Sequence, residues 1–498
     1  MNNSLFKSAK LNAMTSYINF ALNSILLFFI NPYLVQYLGA YNFGIWKSVQ
    51  KFLSFASIAD GRSSQALKWL VANDEKNGDI NKKQQAIGSS IRIWLYFLPI
   101  LLVVIALLVY GTPLLINGIN IKDYSLIRTV VFILGLNILF NPLFGIPDAV
   151  LVGINKGYKS TSIQTINMIV SNLLMIYVSY LGFGLIGLAF VVLGVTFLNG
   201  IFIFYICKKE AKWFGYQKAD SEQIKNFLNF SVLVLVWSLI TRLILSAEIL
   251  LIGYYFNPEG VTNYVFSTYI IQLAIAVGLM TGSAIMPGLG KIIGEKNFVS
   301  ASNIVKNSRE ITAFIAIFFG CFVLLMNRSF VTLWMGENYY IGDLNNFLTV
   351  IIAIQIIHFR NEGQIQDLSL KIKNKVIVGF LFTILSFILC ALLVNFWAHK
   401  IEIIFMGIII GRFGINILFK SMVDRMVNIS QSSISKHLVC GLILITMYFI
   451  GLQINIDSWI YFLIISAVIS IFLAVVSYFT VLSKVAQNLV LQLLKKSI

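Results

Sequence analysis

The chain has 498 residues, 58% of them hydrophobic and only 11% charged, with a mean hydropathy of +0.85 and a formal net charge of +17. Soluble domains carry about 25% charged residues, so an ordinary soluble globule is excluded, and the wealth of aliphatic and aromatic residues excludes a disordered chain. No basic domain interleaved with aromatics is present to grip a nucleic acid, so the cationic excess reads as loop topology instead.

Apolar runs of about 20 residues, each able to cross roughly 30 Å of hydrocarbon as a helix, recur along the whole sequence. Their spacing predicts fourteen helices. The first six cover 12–38, 43–71, 87–111, 126–152, 159–181 and 184–207. A basic segment from Lys208 to Lys225 follows. The next six cover 227–254, 262–286, 310–328, 344–363, 374–397 and 401–423, and two more cover 437–453 and 458–483. The polar start and the long first run predict a retained first helix rather than a cleaved signal. The expected divisions are an N-terminal six-helix lobe (1–207), a cytoplasmic linker (208–226), a second six-helix lobe (227–432), and two extra helices with a cytoplasmic tail (433–498).

The charges test this map independently. With the N-terminus inside, only Lys122, Arg328 and Lys400 of the 37 Lys and Arg fall in the opposite-side loops. A wrong helix count would invert that asymmetry partway along, so both termini are expected in the cytoplasm.

Ionisable groups inside the apolar runs are the informative residues, because a charge at the bilayer centre is expensive and faces a cavity or a partner. Arg62, Arg242 and Arg412 lie near mid-helix in the second, seventh and twelfth runs. At about 100° per residue, Lys47, Lys51, Ser54, Arg62 and Gln65 share one stripe of the second helix, with Asp60 on the other side. Arg242 and Glu248 stand about 120° apart on the seventh helix by the same rule, so they cannot face one direction. Two readings are open. In one, Arg62, Arg242, Arg412, Lys47 and Lys51 line a cationic cavity whose guanidinium forks suit a diphosphate. In the other, these charges pair with Asp60, Glu248 or Asp148 and lock helices together. Asp60 and Glu248 are also the candidate groups for coupling to a proton or cation gradient.

Other chemistry is poorly supplied. Cys207, Cys321, Cys390 and Cys440 form no CxxC pair, and His358, His399 and His437 are too widely spaced for a metal site. GxSxG, HExxH and Walker patterns are absent, and the longest outer loop offers little beyond Glu337 and Asp343. The expectation is a transporter rather than an enzyme, without metal or cofactor.

Several stretches resemble bacterial polysaccharide flippases, the Wzx-type O-antigen transporters. They are Tyr37-Leu-Gly-Ala-Tyr-Asn-Phe-Gly-Ile-Trp46 with Asp60-Gly61, Pro147 to Gly153 with Asn155-Lys156-Gly157, and Gly182 to Ala189. In the second half, Leu251-Ile-Gly253, Tyr264, Pro287 and Leu333 to Tyr340 follow in the expected order, so the resemblance covers about residues 10–430. It implies the multidrug/oligosaccharidyl-lipid/polysaccharide exporter superfamily. The fold implied is all-α and polytopic, with about fourteen transmembrane helices as two six-helix lobes around a central cavity plus two C-terminal helices. The activity implied is alternating-access transfer of an undecaprenyl-diphosphate-linked oligosaccharide, such as an O-antigen repeat unit, from the inner to the outer leaflet of the bacterial plasma membrane. A polysaccharide polymerase and a chain-length regulator are the further partners implied. The two extra helices bring the chain nearer the fourteen-helix lipid II flippases. A polymerising or ligating membrane enzyme and a drug or cation antiporter are the rival readings.

Overall fold

The computed structural model describes residues 3–56, 63–74, 79–218, 221–369, 372–429, 434–488 and 491. Among them every regular element is helical. The helices are α1 (Asn3–Ala56), α2 (Ser63–Asp74), α3 (Ile80–Leu115), α4 (Tyr124–Gly153), α5 (Gly157–Tyr180), α6 (Gly184–Glu210), α7 (Ser221–Tyr255) and α8 (Pro258–Ser267). They continue as α9 (Tyr269–Ala284), α10 (Met286–Gly294), α11 (Phe298–Met335), α12 (Asp343–Asp367), α13 (Lys373–Phe396), α14 (Ile401–Met426), α15 (Ile434–Gly451) and α16 (Trp459–Val481). Backbone groups in hydrocarbon must be satisfied within the segment, which is why an apolar sequence of this length becomes helices.

Each of the fourteen predicted runs contains helix. Eleven described helices are long and apolar enough to cross a membrane. The predicted tenth run, α12, is not counted among them because Asn345, Asn346, Gln355, His358 and Arg360 dilute its apolar residues. Large apolar side chains stand exposed along the spans, Phe190 and Tyr205 on α6 and Ile460, Ile471 and Phe479 on α16 among them. Such faces belong in lipid, and the protein is a multi-pass membrane protein.

Three boundaries differ from expectation for local reasons. The predicted loop at 39–42 is a kink: α1 runs on through it, and only Gly39 leaves helical geometry, at φ 79° and ψ 158°. Glycine alone reaches that region without a Cβ penalty. The predicted eighth helix is three pieces, α8, α9 and α10, and the last break falls at Ile285, just before Pro287 in the first turn of α10. The ninth starts twelve residues earlier than predicted because Asn297 caps it, its side chain accepting from the Ser300 N–H at 3.1 Å.

The chain forms two compact units: Met1–Arg242 with Gly253–Thr262, and Leu243–Ile252 with Asn263–Ile498. Helix α7 therefore contributes to both. In unit 1, α4 packs on α6, α3 and α2, while α1 packs on α5 and α3. The basic segment after α6 is docked rather than loose. Gln84 Nε2 donates to the Trp213 carbonyl at 2.8 Å, and Lys83 lies 5.1 Å over the Trp213 ring. In unit 2, α11 packs on α9, α12, α15 and α16, and α14 lies against α12 and α13.

Helices in lipid gain little from the hydrophobic effect on association and rely on close packing at small residues. Gly407 and Gly411, one GxxxG repeat on α14, sit against the backbone of Cys390 and Ser386 on α13. Gly200 of α6 likewise receives the ring of Phe144 from α4.

Candidate functional site

The second half of α1 begins at the Gly39 kink and buries Phe43, Ile45, Trp46 and Val49 on its packed side. Lys47, Lys51 and Ser54 follow one another at helical spacing, so they occupy one stripe. Lys47 is half-buried. Its Nζ donates to the Asn31 side-chain oxygen at 3.3 Å and lies 4.9 Å from the centre of the Phe43 ring. An amide oxygen and a ring face steady an ammonium without cancelling its charge. One turn on, the half-buried Lys51 offers its backbone carbonyl to the Ser54 hydroxyl at 2.7 Å. The Ser54 carbonyl in turn accepts from Arg242 Nη1 of α7.

Unit 1 thus brings together three of the five cations expected in a cavity: Lys47, Lys51 and Arg242. The backbone carbonyl that Arg242 reaches is neutral, like the partners of Lys47. Arg62 of the predicted stripe, and Asp60 predicted on the opposite side, lie outside the described residues.

Arg412 belongs to unit 2 and is differently placed. It is 0% exposed; Nη1 donates to Glu248 Oε1 at 3.0 Å and Nη2 to the Ile244 carbonyl at 2.8 Å. Its Nε is buried without a hydrogen-bond partner. The ion-pairing edge of this guanidinium is thus occupied by a carboxylate of α7, which is the helix-locking geometry of the second reading. Glu248 also lines a small cleft with Tyr264, Gln272 and Thr349 at its polar positions and Ile271, Ile275, Ile352 and Ile356 among its apolar ones. Arg242 and Glu248 turn away from each other as the helical spacing required, each finding its partner in its own unit.

Sequence reasoning missed a second buried charge network in unit 2. Arg309 of α11 holds Glu362 of α12 through both oxygens, Nε to Oε1 at 2.6 Å and Nη2 to Oε2 at 2.7 Å. Its Nη1 reaches Asp424 of α14 at 2.5 Å. Arg309 stood one residue outside the predicted ninth helix and passed for a loop cation. The signal that could have found it was Glu362, a carboxylate inside an apolar run with no cation in its own helix facing it. In unit 1, Glu210 at the end of α6 pairs with Lys156 at 2.9 Å and with Lys159, and Asp148 pairs with Lys68 at 3.5 Å. Among the described residues no three of His, Cys, Asp and Glu are grouped to hold a metal ion.

Comparison with known proteins adds to this geometry. The sequence profile of a family described as polysaccharide biosynthesis protein matches residues 80–341, more than half of the chain. No curated protein sequence matches it. Among solved structures, the lipid II flippase MurJ in its inward closed conformation is similar over 94% of this chain and 97% of its own, with a TM-score of 0.67 at 16% identity. A multidrug-resistance MATE family transporter of the MOP superfamily, in an inward-facing conformation, matches 83% of this chain and 96% of its own, with a TM-score of 0.61 at 15% identity. A MOP-superfamily transporter from Pyrococcus furiosus, described as having a binding pocket of reversed polarity, covers 85% of this chain and 94% of its own, with a TM-score of 0.55 at 14% identity. The fold is the one these transporters share.

Proposed function

The chain belongs to the polysaccharide biosynthesis protein family, and from that premise we propose that it is a flippase for lipid-linked glycan. Its substrate would be an undecaprenyl-diphosphate-linked oligosaccharide, an O-antigen or other surface-polysaccharide repeat unit. The movement is from the inner to the outer leaflet of the bacterial plasma membrane by alternating access, with both termini in the cytoplasm. A polysaccharide polymerase and a chain-length regulator are its expected neighbours in the pathway.

One observation carries this reading: Lys47 and Lys51 share one stripe of α1 inside an apolar span, beside the Ser54 carbonyl that accepts from Arg242 of α7, and Lys47 is steadied by an amide oxygen and a ring face. Lys47 so held keeps its charge for an anion. A diphosphate carries that charge, and a glycan-bearing head cannot cross hydrocarbon without a solvated, cationic path. Arg62, expected on the same stripe from its sequence spacing, is proposed as a further member of the set. The prenyl tail needs no protein route and stays in lipid.

Glu248 is assigned the coupling role, with Asp60 as a second candidate. Glu248 holds Arg412 in the arrangement described, and parting the two would free the Arg412 fork for the diphosphate. In this way Arg412 joins the binding set only in part of the cycle.

A second reading, transport of lipid II, is favoured by the likeness to a lipid II flippase over 94% of the chain. Both substrates present a prenyl diphosphate, so the cations serve either. The test uses the purified full chain in vesicles loaded with fluorescent prenyl-diphosphate oligosaccharide or with lipid II. Transfer of label between leaflets with glycan length unchanged supports a flippase, and the faster substrate decides between the two readings. Longer or newly linked glycan would make the protein an enzyme, and no transfer of either substrate would sink the proposal.

A further inference from the structure

The segment 208–218, which carries four lysines and one glutamate, is fixed to one end of unit 1. Trp213 and Phe214 pack against the buried cluster that includes Ala86, Ile87, Cys207 and Ala211. Besides the contacts of Trp213 with Gln84 and Lys83 described above, the Gln217 N–H donates to the Gln84 carbonyl at 3.3 Å. The Gln217 side-chain amide donates to Asn81 Oδ1 at 2.9 Å. Gly88 lies so close to the Gln217 carbonyl that a Cβ there has no room. The segment is thus held against the first turns of α3.

Its cations outnumber the carboxylate available to them. Glu210 is taken by Lys156 and Lys159. Lys208, Lys209, Lys212 and Lys218 are exposed, and none of them pairs with a carboxylate among the described residues. Helix α6 sets their level in the membrane. Ile201, Phe204 and Tyr205 stand exposed on it, and Lys208 and Lys209 follow Phe204 and Tyr205 at helical spacing, so all share one face. That face is apolar as far as Tyr205 and turns cationic about 6 Å further on, the rise of four residues. Such a step marks the boundary between hydrocarbon and headgroups, where tyrosine also collects. Phe214 meets Phe204 edge-on, with ring centres 5.7 Å apart, so the segment lies at that boundary rather than out in water.

We propose that the 208–218 segment is a docking surface for anionic phospholipid. Its four lysines hold the phosphates of the leaflet at that end, while Phe204 and Tyr205 abut the acyl chains. A soluble acidic partner would leave those rings without a role, whereas a lipid surface uses both. Each basic residue near an anionic surface strengthens attachment about fivefold, so four together select anionic over zwitterionic lipid. The proposal stands apart from the transport reading, because it does not depend on what the protein carries.

The test uses the full chain with its four native cysteines replaced by Ala and a fluorophore on Tyr216→Cys, an exposed position of the segment. The protein is placed in phosphatidylcholine vesicles holding equal small amounts of either phosphatidylglycerol or phosphatidylcholine spin-labelled near the headgroup. Phosphatidylglycerol is expected to quench several-fold more strongly. Lys208→Gln, Lys209→Gln, Lys212→Gln and Lys218→Gln combined should make the two lipids equal, and arginine at the same four positions should keep the preference. Added sodium chloride should erase the preference in the chain with all four lysines, since exposed charges are screened, and this arm needs no further variant to fold. Inorganic phosphate at the same ionic strength should do no more than chloride does. Loss of the preference under phosphate alone would make the lysines a free-phosphate site and overturn the proposal. Equal quenching by the two lipids at low salt would overturn it too, leaving the lysines to a soluble acidic partner, as would a preference that survives the four glutamines.

Discussion

Arg412 and Glu248, 164 positions apart in the chain, meet inside unit 2 with a donor–acceptor distance of 3.0 Å and almost no exposed surface on either. A pair this buried contributes little net stability as a pair, because desolvation offsets most of the attraction. Its removal by halves is another matter. Arg412→Ala should destabilise the protein by about 3–5 kcal/mol, the usual cost of stranding a buried charge. Replacing both partners with Met should recover most of that loss. Thermal unfolding in detergent measures both, and a single variant as stable as the parent would show that the pair is not buried as described.

Arg242 predicts the opposite balance. It is half-buried and its guanidinium donates to the Ser54 backbone carbonyl, a group that stays uncharged when Arg242 is truncated to Ala. Glycan transfer in vesicles should fall at least tenfold while protein recovered from the membrane stays within about twofold, and Arg242→Lys should keep part of the activity because a point charge replaces a fork. Normal transfer at normal protein level would remove Arg242 from the site.

The Arg309 network should be as sensitive to truncation as the Arg412–Glu248 pair. Glu362 is 0% exposed and both its oxygens are held by Arg309. Arg309→Ala should cost about 3–5 kcal/mol by the same physics. By contrast Lys291→Ala, which opens the exposed pair with Glu295, should change stability by no more than about 0.5 kcal/mol. Comparable shifts in unfolding temperature for the two would refute the network's role.

Two glycines distinguish packing from helix propensity. Gly411→Val drives a side chain into the backbone of Ser386 and should part α13 from α14, costing about 1–3 kcal/mol as overpacking does. Gly441→Ala meets nothing within 4 Å and should gain about 0.5–1 kcal/mol from the better helix former. Unfolding temperatures moving in the same direction would count against the α13–α14 contact.

The apolar runs told the helices apart because length and hydropathy are local properties and hydrocarbon leaves the backbone no alternative. Gly39 marked a real break for the same reason, since a missing Cβ acts on its own turn. The α1 stripe was legible too: periodicity placed Lys47, Lys51 and Ser54 together, and the structure keeps them so. Arg242 and Glu248 were rightly read as facing apart.

Partners were not legible. Whether Arg412 faces an anion or Glu248, that Arg309 reaches both α12 and α14, and that Gly253–Thr262 joins unit 1 depend on which helices are neighbours and how each is rotated. Those are set by side-chain fit between elements far apart in the chain, Gly411 against Ser386 or Gly44 against Pro258. One helix's sequence fixes which of its faces is polar, and only the packed neighbours decide what that face meets.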